Sequence, residues 1–163
     1  MYKRILVPVT GSPASTLGLR EAVRFAKDQR ARLRIIHIVD EAVLSQYPEA
    51  IDITGQLLDT FMNDGKKTLS DAVAFAKRHG INPEYVLYKK LTGALADLIL
   101  KEAKKWRADI IVMGTHEQGA IQHFFLGSDA ETIARSTLLP VLLIHGAPPA
   151  KRKRAAKRKA ASA

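Results

Sequence analysis

The fold is decided by residues 109–146, which read DIIVMGTHEQGAIQHFFLGSDAETIARSTLLPVLLIHG. A short apolar run, Ile110–Met113, ends at a glycine and is followed by a polar loop. The dipeptide Gly127-Ser128, a helical pattern and a second apolar run, Val141–Ile144, come next. Two buried strands joined by a loop and a helix form a βαβ unit. Ligands of open α/β sheets bind at the carboxyl ends of the strands, so the loop after the first run is the first place to expect a site.

Apolar runs alternate with helical patterns through the rest of the chain. Ser12 followed by Pro13 predicts the N-cap and first turn of a helix, and Thr92 is the expected cap of the third helix. Gly80 is the expected C-terminal end of the second helix. The pattern predicts five strands and four helices, with the fourth strand ending at Gly114. Near-continuous apolar strands predict burial on both faces, and therefore a parallel sheet with helices on both sides.

The composition is typical of one globular domain, since 163 residues are enough for a core of its own. No apolar run approaches the ~20 residues that span a bilayer, and the start of the chain lacks the pattern of a signal peptide. The absence of cysteine excludes disulfides and thiolate sites. With no export signal, the cytoplasm is the expected location.

The net charge of +10 is concentrated near the C-terminus. Residues 151–159, KRKRAAKRK, contain seven of the 26 basic residues, and the remaining 19 nearly balance the 16 acidic residues. We therefore expect one domain over residues 1–146 and a disordered basic tail over residues 147–163. Two interpretations of the tail stay open. Either Lys151–Lys159 contacts nucleic-acid phosphates without reading the bases, or the tail only improves solubility.

Two stretches of the chain resemble the nucleotide-binding universal stress proteins. Gly114 and Gly127-Ser128 match the ends of the family signature Gly-x2-Gly-x9-Gly-Ser/Thr at the right distance, and Glu117 occupies the place of the middle glycine. The opening ILVPVTGS is similar to the first strand and loop of the family, with Thr10 where aspartate is commonest. The likeness covers nearly all of the chain outside the tail.

This resemblance implies a single Rossmann-like domain, of the adenine nucleotide alpha hydrolase type, whose parallel sheet has the strand order 3-2-1-4-5. It implies that ATP or another adenine nucleotide is bound, with Pro8, Ile38 and Met113 lining the adenine pocket and Thr10 holding the nucleoside. It also implies a homodimer formed through the strand Val141–Ile144. In the strand order that the resemblance implies, this strand lies at a sheet edge, and an apolar edge strand is a liability unless it is paired.

Glycines and a serine are the candidates for holding phosphate groups. Gly114 and Gly127 let backbone N–H groups approach an anion, and the start of a helix adds about half a positive charge. The hydroxyl of Ser128 would donate to a phosphate, although Ser128 and Glu131 also have the spacing of a capping box. His116 lies in the same loop, where its ring would stack or donate, or simply be solvated.

The charge of Glu117 limits what this loop can bind. A carboxylate repels a polyphosphate unless magnesium bridges the two groups. Neither GxxxxGK[ST] nor GxGxxG occurs, and residues 114–134 contain no lysine or arginine, which excludes the Walker and dinucleotide-binding motifs. No Ser-His-Asp order or nucleophile elbow supports a hydrolase.

Three functional hypotheses follow from these observations. The first is a dimeric regulatory protein of the stress response that is switched by a bound adenine nucleotide, with hydrolysis slow or absent. The second is a relative that has lost the nucleotide and acts through protein contacts alone. The third is a protein that its basic tail tethers to nucleic acid or to an acidic membrane surface.

Overall fold

Strands and helices alternate along the chain in the computed structural model, which describes residues 1–41, 54–90, 92–115 and 128–145. The strands are β1 (Arg4–Pro8), β2 (Arg32–Asp40), β3 (Glu84–Lys90), β4 (Ile110–Thr115) and β5 (Val141–His145). The helices are α1 (Pro13–Gln29), α2 (Thr54–Arg78), α3 (Leu95–Trp106) and α4 (Ser128–Ser136). None of the helices in these ranges is long and apolar enough to cross a membrane.

The strands form one sheet in the order β3-β2-β1-β4-β5, and every neighbouring pair is parallel. In the register, Ile5 lies between Leu33 on one side and Ile110 on the other. At the other end of the sheet, Thr115 is opposite His145. The predicted fold class and strand order are therefore confirmed.

Helices cover both faces of the sheet, so there are two cores. Helices α1 and α2 bury one face, and the core there includes Ile5, Val7, Leu19, Leu33, Ile35, Leu69, Ile110 and Val112. Helices α3 and α4 bury the other face with Leu6, Ile36, Ile99, Trp106, Ile111, Met113 and Ile133. Successive strand residues point to opposite faces, which is why the two lists interleave along β1, β2 and β4.

The helix ends follow the local sequence with one exception. The side chain of Ser12 accepts a hydrogen bond of 3.2 Å from the N–H of Ser15, and Gly80 has a φ of +84° beyond the end of α2, as predicted. Thr92 does not cap α3, so that prediction is wrong. The chain turns at Gly93 with a φ of +83°, and the helix therefore begins two residues later, with Ala94 as an N-cap that makes no side-chain bond.

Candidate functional site

The strand order reverses between β1 and β4, and the crevice that this topology predicts lies at the carboxyl ends of these two strands. Strand β1 is followed by α1 on one face of the sheet, whereas β4 is followed by α4 on the other face. The two connections therefore leave the sheet in opposite directions. In open α/β sheets, such a switch point is where ligands bind.

Helix α1 packs directly against the backbone of β4 at the edge of this crevice. A Cβ atom on Gly114 would lie 1.8 Å from the carbonyl oxygen of Ala14, and one on Gly18 would lie 2.4 Å from the amide nitrogen of Gly114. The φ angle of Gly114 is not positive, so its backbone conformation does not require glycine. Glycine is needed here because a side chain would leave no room for α1. It also continues the ladder opposite Ile144, so β4 runs on to Thr115 and the prediction that it ends at Gly114 is wrong.

The loop after β1 is a turn held by its own hydroxyl groups. The N–H of Thr10 donates to the Ser15 hydroxyl at 2.8 Å, and the Thr10 hydroxyl donates to the Ser12 hydroxyl at 3.0 Å. Gly11 between them has a φ of +82°, which an L side chain rarely adopts. The side chain of Thr10 is exposed at the mouth of the crevice, and its hydroxyl is already engaged in the turn.

Three of the predicted site residues share one face of the sheet. Met113 is 8% exposed and packs in the core under α3 and α4, and Ile38 lies against the same core. Pro8 follows Leu6 by two residues and therefore points to that face as well. These residues belong to β1, β2 and β4, which are adjacent strands. The structure thus places these three predicted residues on the same face of adjacent strands.

The remaining predicted residues lie in or next to the loop after β4. His116, Glu117 and Gly127 are outside the described residues, as is the tail over 147–163. Ser128 is described only as the first residue of α4. The first turn of this helix contains Asp129 and Glu131, and the Glu131 carboxylate lies 2.9 Å from Arg135.

Two polar pairs at the same edge of the sheet were not predicted. The Thr115 hydroxyl, on a residue only 3% exposed, is 2.9 Å from Nδ1 of His145. Lys90, 7% exposed, donates from Nζ to Asp40 at 2.8 Å. Each pair joins the last residues of two neighbouring strands, so only the strand order and register reveal it. Across the described ranges, no three His, Asp or Glu residues are placed to hold a metal ion.

Comparison with known proteins identifies the family. A model of the universal stress protein family matches residues 1–145. The chain belongs to the universal stress protein family. A universal stress protein of Methanocaldococcus jannaschii is 29% identical over 146 residues, a match that covers 88% of this chain and 82% of that protein. A family member from Burkholderia pseudomallei with a crystal structure is 29% identical, with a TM-score of 0.70 and coverage of 88% of this chain and 96% of its own.

Some universal stress proteins of the same fold have been crystallised with adenine nucleotides. The protein from Archaeoglobus fulgidus, in complex with dAMP, is 23% identical with a TM-score of 0.64 and coverage of 88% and 98% of the two chains. A family protein from Arabidopsis thaliana with AMP bound is 16% identical, with a TM-score of 0.64 and coverage of 89% and 92%. At these identities, the similarity shows a shared fold.

Proposed function

We propose that this universal stress protein is a dimeric regulatory protein that binds an adenine nucleotide in the crevice between β1 and β4. The observation that carries the proposal is the reversal of strand order, which places the ends of these two strands beside one another. The dAMP and AMP complexes of relatives with this fold support the choice of ligand. Nucleotide occupancy would be the regulatory signal, with hydrolysis slow or absent.

In this proposal the apolar face formed by Pro8, Ile38 and Met113 receives the adenine ring. An apolar floor with a few polar groups at its rim is the usual composition of a small-molecule site. Thr10, at the mouth of the crevice, contacts the ribose. Because its hydroxyl already donates to Ser12, it offers the nucleoside a lone pair and no free proton in this rotamer.

The phosphates are assigned to the loop after β4 and to the start of α4. Gly114 and Gly127 would provide backbone N–H groups, Ser128 its hydroxyl, and His116 a ring donor. Glu117 would repel a di- or triphosphate unless magnesium bridges them, so a monophosphate fits this loop better than ATP without metal.

A second candidate function has support from the turn after β1. The Thr10 side chain lacks the charge of the aspartate that is commonest there, and its hydroxyl is used within the turn. In that case the protein acts through protein contacts without a nucleotide. Mass spectrometry of small molecules released from the denatured protein separates the two, because only the first candidate yields an adenine nucleotide.

Substitutions in the phosphate loop test the proposed site. We expect Gly127→Glu to abolish nucleotide binding, because the side chain fills the phosphate space and adds a negative charge. The matched control is Ser136→Glu, which adds the same charge at the opposite end of α4, where the side chain is exposed. Calorimetry with AMP should show loss of binding in the first variant and retention in the second.

The role of Glu117 can be resolved in the same titrations. Glu117→Gly should tighten ATP binding about tenfold or more, because one close like-charge contact is worth roughly 1.4 kcal/mol in a partly solvated site. Glu117→Gln removes the charge but keeps a side chain. It therefore distinguishes the effect of charge repulsion from the effect of the greater backbone freedom of glycine. ATP affinity that is equal or weaker in Glu117→Gly, with and without magnesium, would contradict this role of Glu117.

A further inference from the structure

A basic hollow lies at the amino ends of the strands, at the edge of the sheet opposite the crevice. It has a volume of about 280 Å³ and lies between the start of β1 and β2 and the last turn of α3. Its walls carry five cationic side chains and one carboxylate, together with an indole ring: Arg4, Arg32, Arg34, Lys105, Arg107, Glu84 and Trp106. None of these residues belongs to the proposed nucleotide site.

Two glutamates near the hollow pair with two of its arginines. Glu84 pairs with both Arg32 and Arg34, and Glu102, which is 1% exposed, pairs with Arg34. Trp106 fixes this arrangement, because its Nε1 donates to Glu84 at 3.1 Å and the Arg34 guanidinium lies 4.8 Å from its ring centroid. Neither of these two carboxylates pairs with the other cations of the hollow. The nearby Asp109 carboxylate accepts from the backbone N–H groups of Lys3 and Arg4, at 2.8 and 2.9 Å.

The other three cations of the hollow are Arg4, Lys105 and Arg107. Nη1 of Arg4 donates to the carbonyl of Trp106 at 3.1 Å, and within the described part of the chain none of the three forms an ion pair. Arg4 is also opposite Arg32 in the parallel ladder. Like charges side by side on neighbouring strands repel each other, and an anion between them would remove this repulsion.

The end of α3 does not cancel this positive charge. Helix C-termini carry about half a negative charge on their free carbonyl groups. Here the N–H of Arg107 bonds to the carbonyls of Ala103 and Lys104, and Arg4 bonds to that of Trp106. Three of the last four carbonyls of the helix, those of Ala103, Lys104 and Trp106, therefore accept hydrogen bonds from these donors.

We propose that this hollow is a second binding site, for a small anion with two linked phosphate groups, held by Arg4, Lys105 and Arg107. Guanidinium groups match phosphate oxygens with paired hydrogen bonds, and three cations that form no ion pair within the described residues fit an anion of more than one charge. The volume of about 280 Å³ is large enough to hold pyrophosphate. The anion arrives either free or as part of a nucleoside polyphosphate.

Trp106 is the single tryptophan of the chain, so its one indole resonance provides an assigned probe in the wall of this hollow. The test is an NMR titration of the full-length ¹⁵N-labelled protein, following the Trp106 Nε1–H signal. Pyrophosphate should shift this signal saturably at millimolar concentrations or below. AMP should shift the signal much less, because it has a single phosphate. If ADP shifts the signal as pyrophosphate does, a nucleoside polyphosphate is a source of the anion.

Two double variants separate a built site from general attraction. Lys105→Gln/Arg107→Gln should raise the Kd for pyrophosphate about tenfold or more. Lys101→Gln/Lys104→Gln removes the same charge from exposed positions of α3 outside the hollow and should change it by about twofold or less. Thermal unfolding checks that each variant is folded. If Lys105→Gln/Arg107→Gln does not fold, the single variant Lys105→Gln takes its place.

Three results would overturn the proposal. The first is a Trp106 signal in the unmodified protein that does not shift saturably with pyrophosphate. The second is an equal loss of affinity in both double variants, which would show attraction to net charge without a site. The third is a hexaglutamate peptide that shifts Trp106 at lower concentration than pyrophosphate, which would assign the hollow to acidic peptides.

Discussion

At the scale of single residues, Gly114 shows how a signature glycine can serve packing. A methyl group there would overlap the Ala14 carbonyl, which belongs to the backbone and cannot rotate away. We expect Gly114→Ala to lower the free energy of unfolding by about 3 kcal/mol or more. Gly80→Ala is the control: Gly80 has open space around it, so the substitution should cost only about 1 kcal/mol through its positive φ. Urea unfolding measures both, and similar losses would contradict the packing role.

A second residue-scale prediction concerns Glu84 and pH. Burial alone would raise the pKa of this carboxyl group, but its hydrogen bonds to Arg34 and Arg32 hold the pKa below its usual range. Because the pKa of Glu84 is lower in the folded state than in the unfolded state, its ionised form stabilises the fold at pH values above the unfolded-state pKa of about 4.3. This stabilisation is lost as the pH falls through the pKa of the folded state. Glu84→Gln should therefore lower the free energy of unfolding at pH 7 by about 1 kcal/mol, allowing for the exposure of one third of the side chain.

This difference between the wild-type protein and Glu84→Gln should shrink below about pH 4. Glu21→Gln is the control, because Glu21 pairs with Arg24 on the surface of α1 and such pairs contribute little. Denaturant unfolding at several pH values provides the measurement. A difference for Glu84→Gln that stays constant from pH 7 to the acid range would show that the ion pair does not hold the pKa down.

Sequence reasoning found the residues whose role depends on near neighbours and missed those whose role depends on register. Ser12 could be predicted as a cap because its partner is three residues away. Thr115 and His145, and likewise Asp40 and Lys90, meet only because their strands are paired in a particular register. The contact of Gly114 with Ala14 spans a hundred residues of chain, and local spacing gives no sign of it.

At the scale of elements, the types and order of the strands and helices were predictable, but several ends were not. Apolar runs on β1, β2 and β4 identified buried strands because both faces are covered. Helices α1 and α3 end at Arg30 and Arg107, which adopt left-handed φ values of 52° and 57° without glycine. No residue type in the sequence predicts such a helix end. It is determined by the hydrogen bonds from the backbone N–H of each arginine to carbonyls of the last turn.

The prediction of a dimer rests on the edge strand β5. It pairs only with β4 within the described residues, and Leu142 is 37% exposed on it. We expect antiparallel pairing of β5 across a two-fold axis, so Leu142→Lys should weaken the dimer by introducing two like charges at the axis. Tyr85→Lys is the matched control, because Tyr85 is 59% exposed on β3 at the other edge of the sheet.

Sedimentation at micromolar concentration distinguishes these outcomes. The wild-type protein and Tyr85→Lys should sediment as dimers, and Leu142→Lys should shift toward the monomer. A monomeric wild-type protein would refute the dimer, and dissociation by Tyr85→Lys alone would place the interface at β3.

At the scale of the whole molecule, the charge of residues 151–159 predicts a separate activity. Seven cations without a base-reading scaffold should bind duplex DNA without sequence preference. If all of them contact phosphates, log affinity should fall with log salt concentration with a slope of about −6. Deleting residues 147–163 should remove this binding and leave the dimer unchanged. DNA binding that survives the deletion, or that is insensitive to salt, would place the contact elsewhere.

The central claim concerns the nucleotide, and calorimetric titration of AMP and ATP into the full-length protein tests it most directly. The protein must first be shown by mass spectrometry of a denatured sample to be free of bound nucleotide. We predict saturable binding of about one AMP per chain, since each chain has one switch point between β1 and β4. The absence of saturable heat with either nucleotide, both with and without magnesium, would contradict it.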